Sequence, residues 1–199
     1  MLTRQAPYVV AAAGLLVAGA IAAVVLTVVS PAPASPTARL RSAARLFLTK
    51  GVAAESAHQF AQANADYLRA LENQPRTATA WYDLGVIAQQ QGFGKSAQAD
   101  YERAVKVDPA DDLALYNLAT LIQSRAPAAA ARLYRDVLRR DPADAAARLN
   151  LGLILEQEHT ATAAGRLIDE ALRIDPFLGG HSRGAPLARA GAATARTGS

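Results

Sequence analysis

Three patterns of apolar and polar positions divide the chain. From Tyr8 to Val29 the run YVVAAAGLLVAGAIAAVVLTVV carries no charge, and a helix of that length spans about 33 Å, the hydrocarbon thickness of a bilayer. From Ala44 to Leu178, small and apolar residues recur at fixed distances from a periodic proline. From Gly179 to the end, GGHSRGAPLARAGAATARTGS offers paired glycines and little that could pack, which predicts a disordered tail over 179–199.

The proline period organises the middle region. Asp108-Pro109, Asp141-Pro142 and Asp175-Pro176 recur at an almost constant interval, and Gln74-Pro75 precedes the first by the same step. Proline forces the residue before it out of helical conformation, so each pair predicts the end of a helix. Thr77, Asp111 and Asp144, two positions past the first three prolines, are placed to cap the next helix. Counting back from Pro109 meets Ala104, Tyr101, Ala97, Gly85, Leu84 and Trp81; from Pro176 the same steps meet Ala171, Ile168, Ala164, Gly152 and Leu151. From Pro142 they meet Val137, Tyr134 and Ala130 and then, after a one-residue deletion by Ala126-Pro127, Ala119, Leu118 and Leu115. From Pro75 they meet Ala70, Tyr67, Ala63, Gly51 and Phe47, with Lys50 where the others have leucine. Glycine inside a helix costs about 1 kcal/mol relative to alanine, so Gly85 predicts that something approaches that backbone closely.

These positions resemble the signature of the tetratricopeptide repeat family, W-x2-L-G-x2-Y…A-x3-F…P, carried here by Trp81, Leu84, Gly85, Ala97, Tyr101, Ala104 and Pro109. The resemblance covers four units, 44–77, 78–111, 112–144 and 145–178. It departs at Lys50 in the first and at Arg148, in place of a large apolar residue, in the last. It implies an all-α fold: an α-solenoid of about four tetratricopeptide helix-turn-helix repeats stacked in a right-handed superhelix, with Gly85 and Ala97 small where the two helices of a hairpin cross. No such unit buries its apolar face alone, so stability comes from stacking.

The resemblance also implies a protein or peptide partner held in a concave groove lined by the first helix of each unit. Carried over position by position, that groove presents Tyr82, Val86 and Gln89, then Tyr116, Thr120 and Gln123, then Leu149, Leu153 and Glu156. Asn117 and Asn150 stand where family members place an asparagine that bonds a ligand's backbone. An apolar strip with amide edges suits an amphipathic helix or an extended apolar peptide. None of these residues is Lys or Arg, which argues against a clamp for an acidic C-terminus. The alternative, for Val86, Leu149 and Leu153 above all, is packing against the adjacent unit.

Ahead of the repeats, residues 1–7 form a short tail and 8–29 a transmembrane helix or signal anchor. A cleaved leader competes, since Arg4 supplies a positive start and Ala32-Pro33-Ala34 a small-residue site, but the apolar run exceeds the usual leader core. With Arg4 and the amine on one side, the expectation is a single-pass membrane protein whose repeat domain is extracytoplasmic. Residues 30–43 read as a Pro/Ala-rich linker, of which SPAPASPT, Ser30 to Thr37, is an extended, semi-rigid spacer.

Charge and chemistry narrow the function. The net charge of +4 and pI of 9.7 suggest a polyanion partner. All 17 acidic residues, however, lie between Ala44 and Leu178 with 15 basic ones, a net of −2, and the excess belongs to Arg4, Arg39, Arg41, Arg183, Arg189 and Arg196 at the ends. No nucleic-acid surface is expected. The absence of cysteine removes disulfides, thiolate metal sites and a thiol nucleophile. His58 and His159 fall at equivalent hairpin turns, His181 stands apart, and no nucleophile or phosphate-loop motif occurs. The expectation is therefore a non-enzymatic scaffold with no cofactor or metal. Two alternatives stand beside it. One is a homo-oligomer joined through exposed faces of the last unit (Leu167, Leu172 and Ile174, unless Phe177 and Leu178 fold over them); the other is a secreted soluble binding module.

Overall fold

In the computed structural model, residues 35–158 and 161–181 are described. They form eight α-helices and a closing 3₁₀ turn: α1 Pro36–Ser56, α2 Phe60–Asn73, α3 Ala78–Gln90, α4 Gly94–Val107, α5 Asp112–Ile122, α6 Pro127–Arg140, α7 Ala145–Gln157, α8 Ala161–Ile174, and the turn Pro176–His181. Consecutive helices pair as four hairpins and successive hairpins pack on one another, an all-helical α-solenoid. The apolar segment 8–29, the linker up to residue 34, His159 and residues 182–199 lie outside the described residues. Among those described, no helix is long and apolar enough to cross a membrane.

The proline period marks the unit boundaries for the expected reason. Gln74, Asp108 and Asp141, each before a proline, leave helical geometry with ψ of 90°, 95° and 86°. In each case the residue's N–H still closes the last helical turn on Ala70, Ala104 or Val137, at 2.8 to 2.9 Å. The aspartates add a turn of their own: Asp108 and Asp141 accept from the N–H of Ala110 and Ala143 at 2.9 and 3.0 Å, which is why Asp precedes proline there. Asp111 and Asp144 cap α5 and α7 as expected, accepting from Ala114 and Ala147 at 3.1 and 3.0 Å. Thr77 departs from expectation, since its hydroxyl donates back to the Gln74 carbonyl at 2.8 Å and caps nothing.

In the first two hairpins the residue that approaches the glycine is aromatic. A Cβ on Gly85 would lie 2.6 Å from ring carbons of Tyr101, and one on Gly51 would lie 2.5 Å from the Tyr67 ring. In the fourth hairpin the same place is Gly152 against Ile168, at 2.8 Å. Helix propensity is given up so that a large side chain of the second helix can come close to the backbone of the first.

Two sequence departures have physical causes. Leu84 is buried among Ala54, Ala63, Tyr67 and Leu71 of the preceding hairpin, whereas Lys50 sits on the first described hairpin. Lacking that neighbour, it stays exposed with Nζ 5.7 Å from the Phe47 ring centroid. Arg148 replaces Trp81's ring yet keeps its bond: the indole Nε1–H donates to the Pro75 carbonyl at 3.1 Å, and the Arg148 guanidinium donates to Pro142. The carbonyl of Pro109, between them, is taken by Arg140.

Both ends differ from the sequence reading. Helix α1 starts at Pro36, inside the linker expected over 30–43 and within the Ser30 to Thr37 part expected to be extended, because Ser35 caps it through Ala38 N–H at 3.2 Å and Pro36 fits the first helical position. At the other end Gly179 to His181 continue a 3₁₀ turn. Phe177 does not fold over the last unit but stays 89% exposed, while Leu178 is half-buried.

Candidate functional site

Of the eleven residues carried over as a groove, seven are buried: Tyr82, Val86, Tyr116, Asn117, Thr120, Leu149 and Asn150, none more than 9% exposed. Tyr82, Val86, Tyr116, Asn117 and Asn150 meet residues of an adjacent hairpin, so stacking closes over much of the expected groove. Val86 joins a cluster with Leu115, Tyr116 and Ala119 of the next unit. Leu153 is half-buried, and packing therefore claims Val86 and Leu149 but leaves Leu153 partly open.

The two asparagines serve the solenoid itself. Asn117 Nδ2 donates to the Tyr82 hydroxyl at 3.2 Å, and Asn150 Nδ2 donates to the Tyr116 hydroxyl at 3.0 Å, one unit back in both cases. Such bonds satisfy buried phenols and fix the stacking of adjacent hairpins. In the second unit the same register holds Asp83, which is 5% exposed and acts electrostatically on Tyr67. Burial, then the Asp83 and Glu55 carboxylates, push the Tyr67 phenol well above its ordinary range.

Above this layer lies a second, more open one. The tyrosine of the second helix, which rests on a glycine in the first two hairpins, donates its hydroxyl to a side chain near the end of the first helix: Tyr67 to Glu55 at 2.8 Å, Tyr101 to Gln89 at 2.8 Å, and Tyr134 to Gln123 at 3.2 Å. Glu55, Gln89 and Gln123 are half-buried and stand one repeat period apart, and Glu156 continues the row one period further on. In the fourth unit the tyrosine's place is Ile168, so Glu156 has no phenol to hold it and lies exposed. Thr120 completes the third unit's network, 3.0 Å from the Tyr134 hydroxyl. Burial pushes the Tyr134 phenol up to about 12, with hydrogen bonds from Thr120 and Asn150 pulling the other way.

The row Glu55, Gln89, Gln123, Glu156 is thus a line of oxygen acceptors and amides at one register, acidic at both ends. Only Gln89, Gln123, Leu153 and Glu156 of the eleven expected residues remain open to a partner. Glu55 escapes the sequence reading, although stepping one repeat period back from Gln89 reaches it. Among the described residues no group of three or more His, Asp or Glu is placed to hold a metal ion.

Comparison with known proteins agrees with this geometry. A family model described as tetratricopeptide repeat matches residues 48–92 and 120–178, and a second of the same description matches residues 78–111. No curated protein matches the sequence. Among solved structures, the crystal structure of MamA is 18% identical with a TM-score of 0.61, over 69% of this chain and 81% of that one. MamA from Desulfovibrio magneticus RS-1 (residues 41 to its end) is 18% identical with a TM-score of 0.61, over 67% and 76%. Pseudomonas aeruginosa PilF is 21% identical with a TM-score of 0.59, over 69% and 64%. At these identities the likeness is one of fold. With the family models spanning more than half of its length and the hairpin register matching them, the chain belongs to the tetratricopeptide repeat family.

Proposed function

We propose that the chain is a membrane-anchored scaffold that holds a segment of another protein along the row Glu55, Gln89, Gln123 and Glu156. The observation that carries this reading is the repeated tyrosine-to-acceptor bond. By occupying one oxygen of Gln89 and Gln123, Tyr101 and Tyr134 fix the amides, leaving the Nε2 donors without a hydrogen-bond partner among the described residues. Amides held this way at one register are suited to a partner's backbone carbonyls. The carboxylates of Glu55 and Glu156 favour a segment with Lys or Arg at its ends, and Leu153 adds an apolar contact. The charge-free segment 8–29 supports the anchor, with the repeat domain outside the cytoplasm.

Photo-crosslinking in cells tests this reading, with a photoreactive residue placed at Gln89 and then at Gln123 of the full chain. The expected result is one heterologous protein captured from both positions and lost with Leu153→Glu. Capture only of other copies of this chain overturns the scaffold in favour of self-association. Recovery from the medium of a protein that lacks everything up to Val29 overturns the anchor.

A further inference from the structure

The first helix is longer than its counterparts, and the excess is basic. Helices α3, α5 and α7 begin where their repeat units begin, at residues 78, 112 and 145, whereas α1 begins at Pro36, about two turns before Ala44. Arg39, Leu40 and Arg41 lie exposed on this extension, with Leu40 at 47%, and Arg45 is exposed just after it. No acidic residue occurs in the chain before Glu55. Between the start of α1 and the α2–α3 turn lies a cavity of 320 Å³, lined by Leu40, Arg41, Asn73, Gln74, Pro75 and Arg76. Of the described arginines, Arg69, Arg103, Arg139, Arg140 and Arg148 are in ion pairs and the others are not. Arg41 and Arg76 make none among the described residues, and no carboxylate lines the cavity.

Chain connectivity says what these cations meet. Ser35 follows Val29 by six residues, and six residues stretch to about 20 Å at most. If 8–29 spans a bilayer, a tether of that length keeps the start of α1 within reach of the headgroups. We propose that this end of the repeat domain docks on anionic phospholipid: Arg41 and Arg76, from the two sides of the cavity, take a lipid phosphate, Arg39 and Arg45 add attraction, and Leu40 supplies an apolar contact. The inference rests on the anchored reading above. It makes the membrane a second binding surface that fixes the solenoid's orientation.

The absence of cysteine makes the test clean. The full chain carrying Ser42→Cys, labelled with a polarity-sensitive dye, is reconstituted into vesicles of phosphatidylcholine alone or mixed equally with phosphatidylglycerol. Flotation after alkaline extraction reads anchoring, and the dye's emission reads docking. Docking predicts flotation with both vesicles and a blue shift only with phosphatidylglycerol, reversed by salt. It also predicts a docked-to-undocked ratio about 25-fold lower for Arg41→Gln with Arg76→Gln, at roughly fivefold per arginine. Arg166→Gln, at the far end of the solenoid, leaves the shift unchanged. Flotation with both vesicles and no lipid-dependent shift overturns docking while leaving the anchor. Failure to float with phosphatidylcholine overturns the anchor and docking with it. Loss of the shift on adding inorganic phosphate at constant ionic strength overturns the lipid as occupant in favour of free phosphate.

Discussion

The second and fourth hairpins share one backbone plan and fill it differently. In α3–α4 a tyrosine ring lies on Gly85 and its hydroxyl grips Gln89. In α7–α8 Ile168 lies on Gly152, and Glu156, at the register of Gln89, stands free of any phenol. The stacking function of the hairpin therefore needs only bulk over the glycine. The hydroxyl is an addition that orders a surface side chain on the preceding helix, at the same register in three of the four units. One end of the acceptor row is held and the other is loose.

Truncation breaks the comparison most severely. Tyr101→Ala removes a side chain 1% exposed and is expected to lose about 3 to 5 kcal/mol in urea unfolding. Tyr101→Phe, which keeps the ring and drops the bond to Gln89, is expected to lose only about 1 kcal/mol. A similar loss for both would mean that the hydroxyl, not the ring, holds the hairpin. Ile168→Tyr sharpens the contrast from the other side. The glycine beneath it already fits the tyrosine plan, so stability should stay within about 1.5 kcal/mol, while side-chain NMR of Glu156 should show slower averaging.

Alkaline titration comes next. The Tyr134 phenol is raised from 10.0 to about 12 by burial, so the folded state favours its neutral form. That contribution is complete below pH 10 and is lost as pH rises from 10 towards 12, a difference of roughly 2 to 3 kcal/mol at most. Unfolding followed from pH 8 to 12 should show stability falling above 10, and the fall should be shallower in Tyr134→Phe. The fourth hairpin, with no tyrosine in α8, contributes nothing to this slope.

What was legible in the sequence follows the same division. The helix ends could be read because proline acts on its own neighbour, a local effect, and the close approach at Gly85 could be read because a glycine in a helix needs a reason. The groove could not. Whether Tyr116 faces a ligand or Asn150 depends on how the next hairpin packs, a full repeat period away, and register alone does not distinguish a side chain at the surface from one just beneath it. The helical start at Ser35-Pro36 was hidden by composition: the same prolines that stiffen an extended chain also open a helix when a serine caps it.

The smallest effects separate glycines that are packed from glycines that are not. Gly85→Ala puts a methyl 2.6 Å from the Tyr101 ring, and the clash, offset by better helix propensity, should leave a net loss of about 1 to 2 kcal/mol. Gly165, inside α8, has nothing within 4 Å of an added Cβ, so Gly165→Ala should gain about 0.5 to 1 kcal/mol. At the hairpin turns the sign reverses with backbone angle. Gly92 has φ of 79° and its counterpart one unit earlier is His58, with φ of 56°, a left-handed conformation that disfavours any residue with a Cβ. His58→Gly should therefore gain a few tenths to about 1 kcal/mol, the relief of strain exceeding the added freedom of the unfolded chain. Gly92→His should lose a similar amount. If thermal unfolding instead shows His58→Gly to be destabilising, the edge contact of its ring with Phe60, at 5.9 Å, outweighs the strain. The first turn is then held by an aromatic pair where the second is held by glycine.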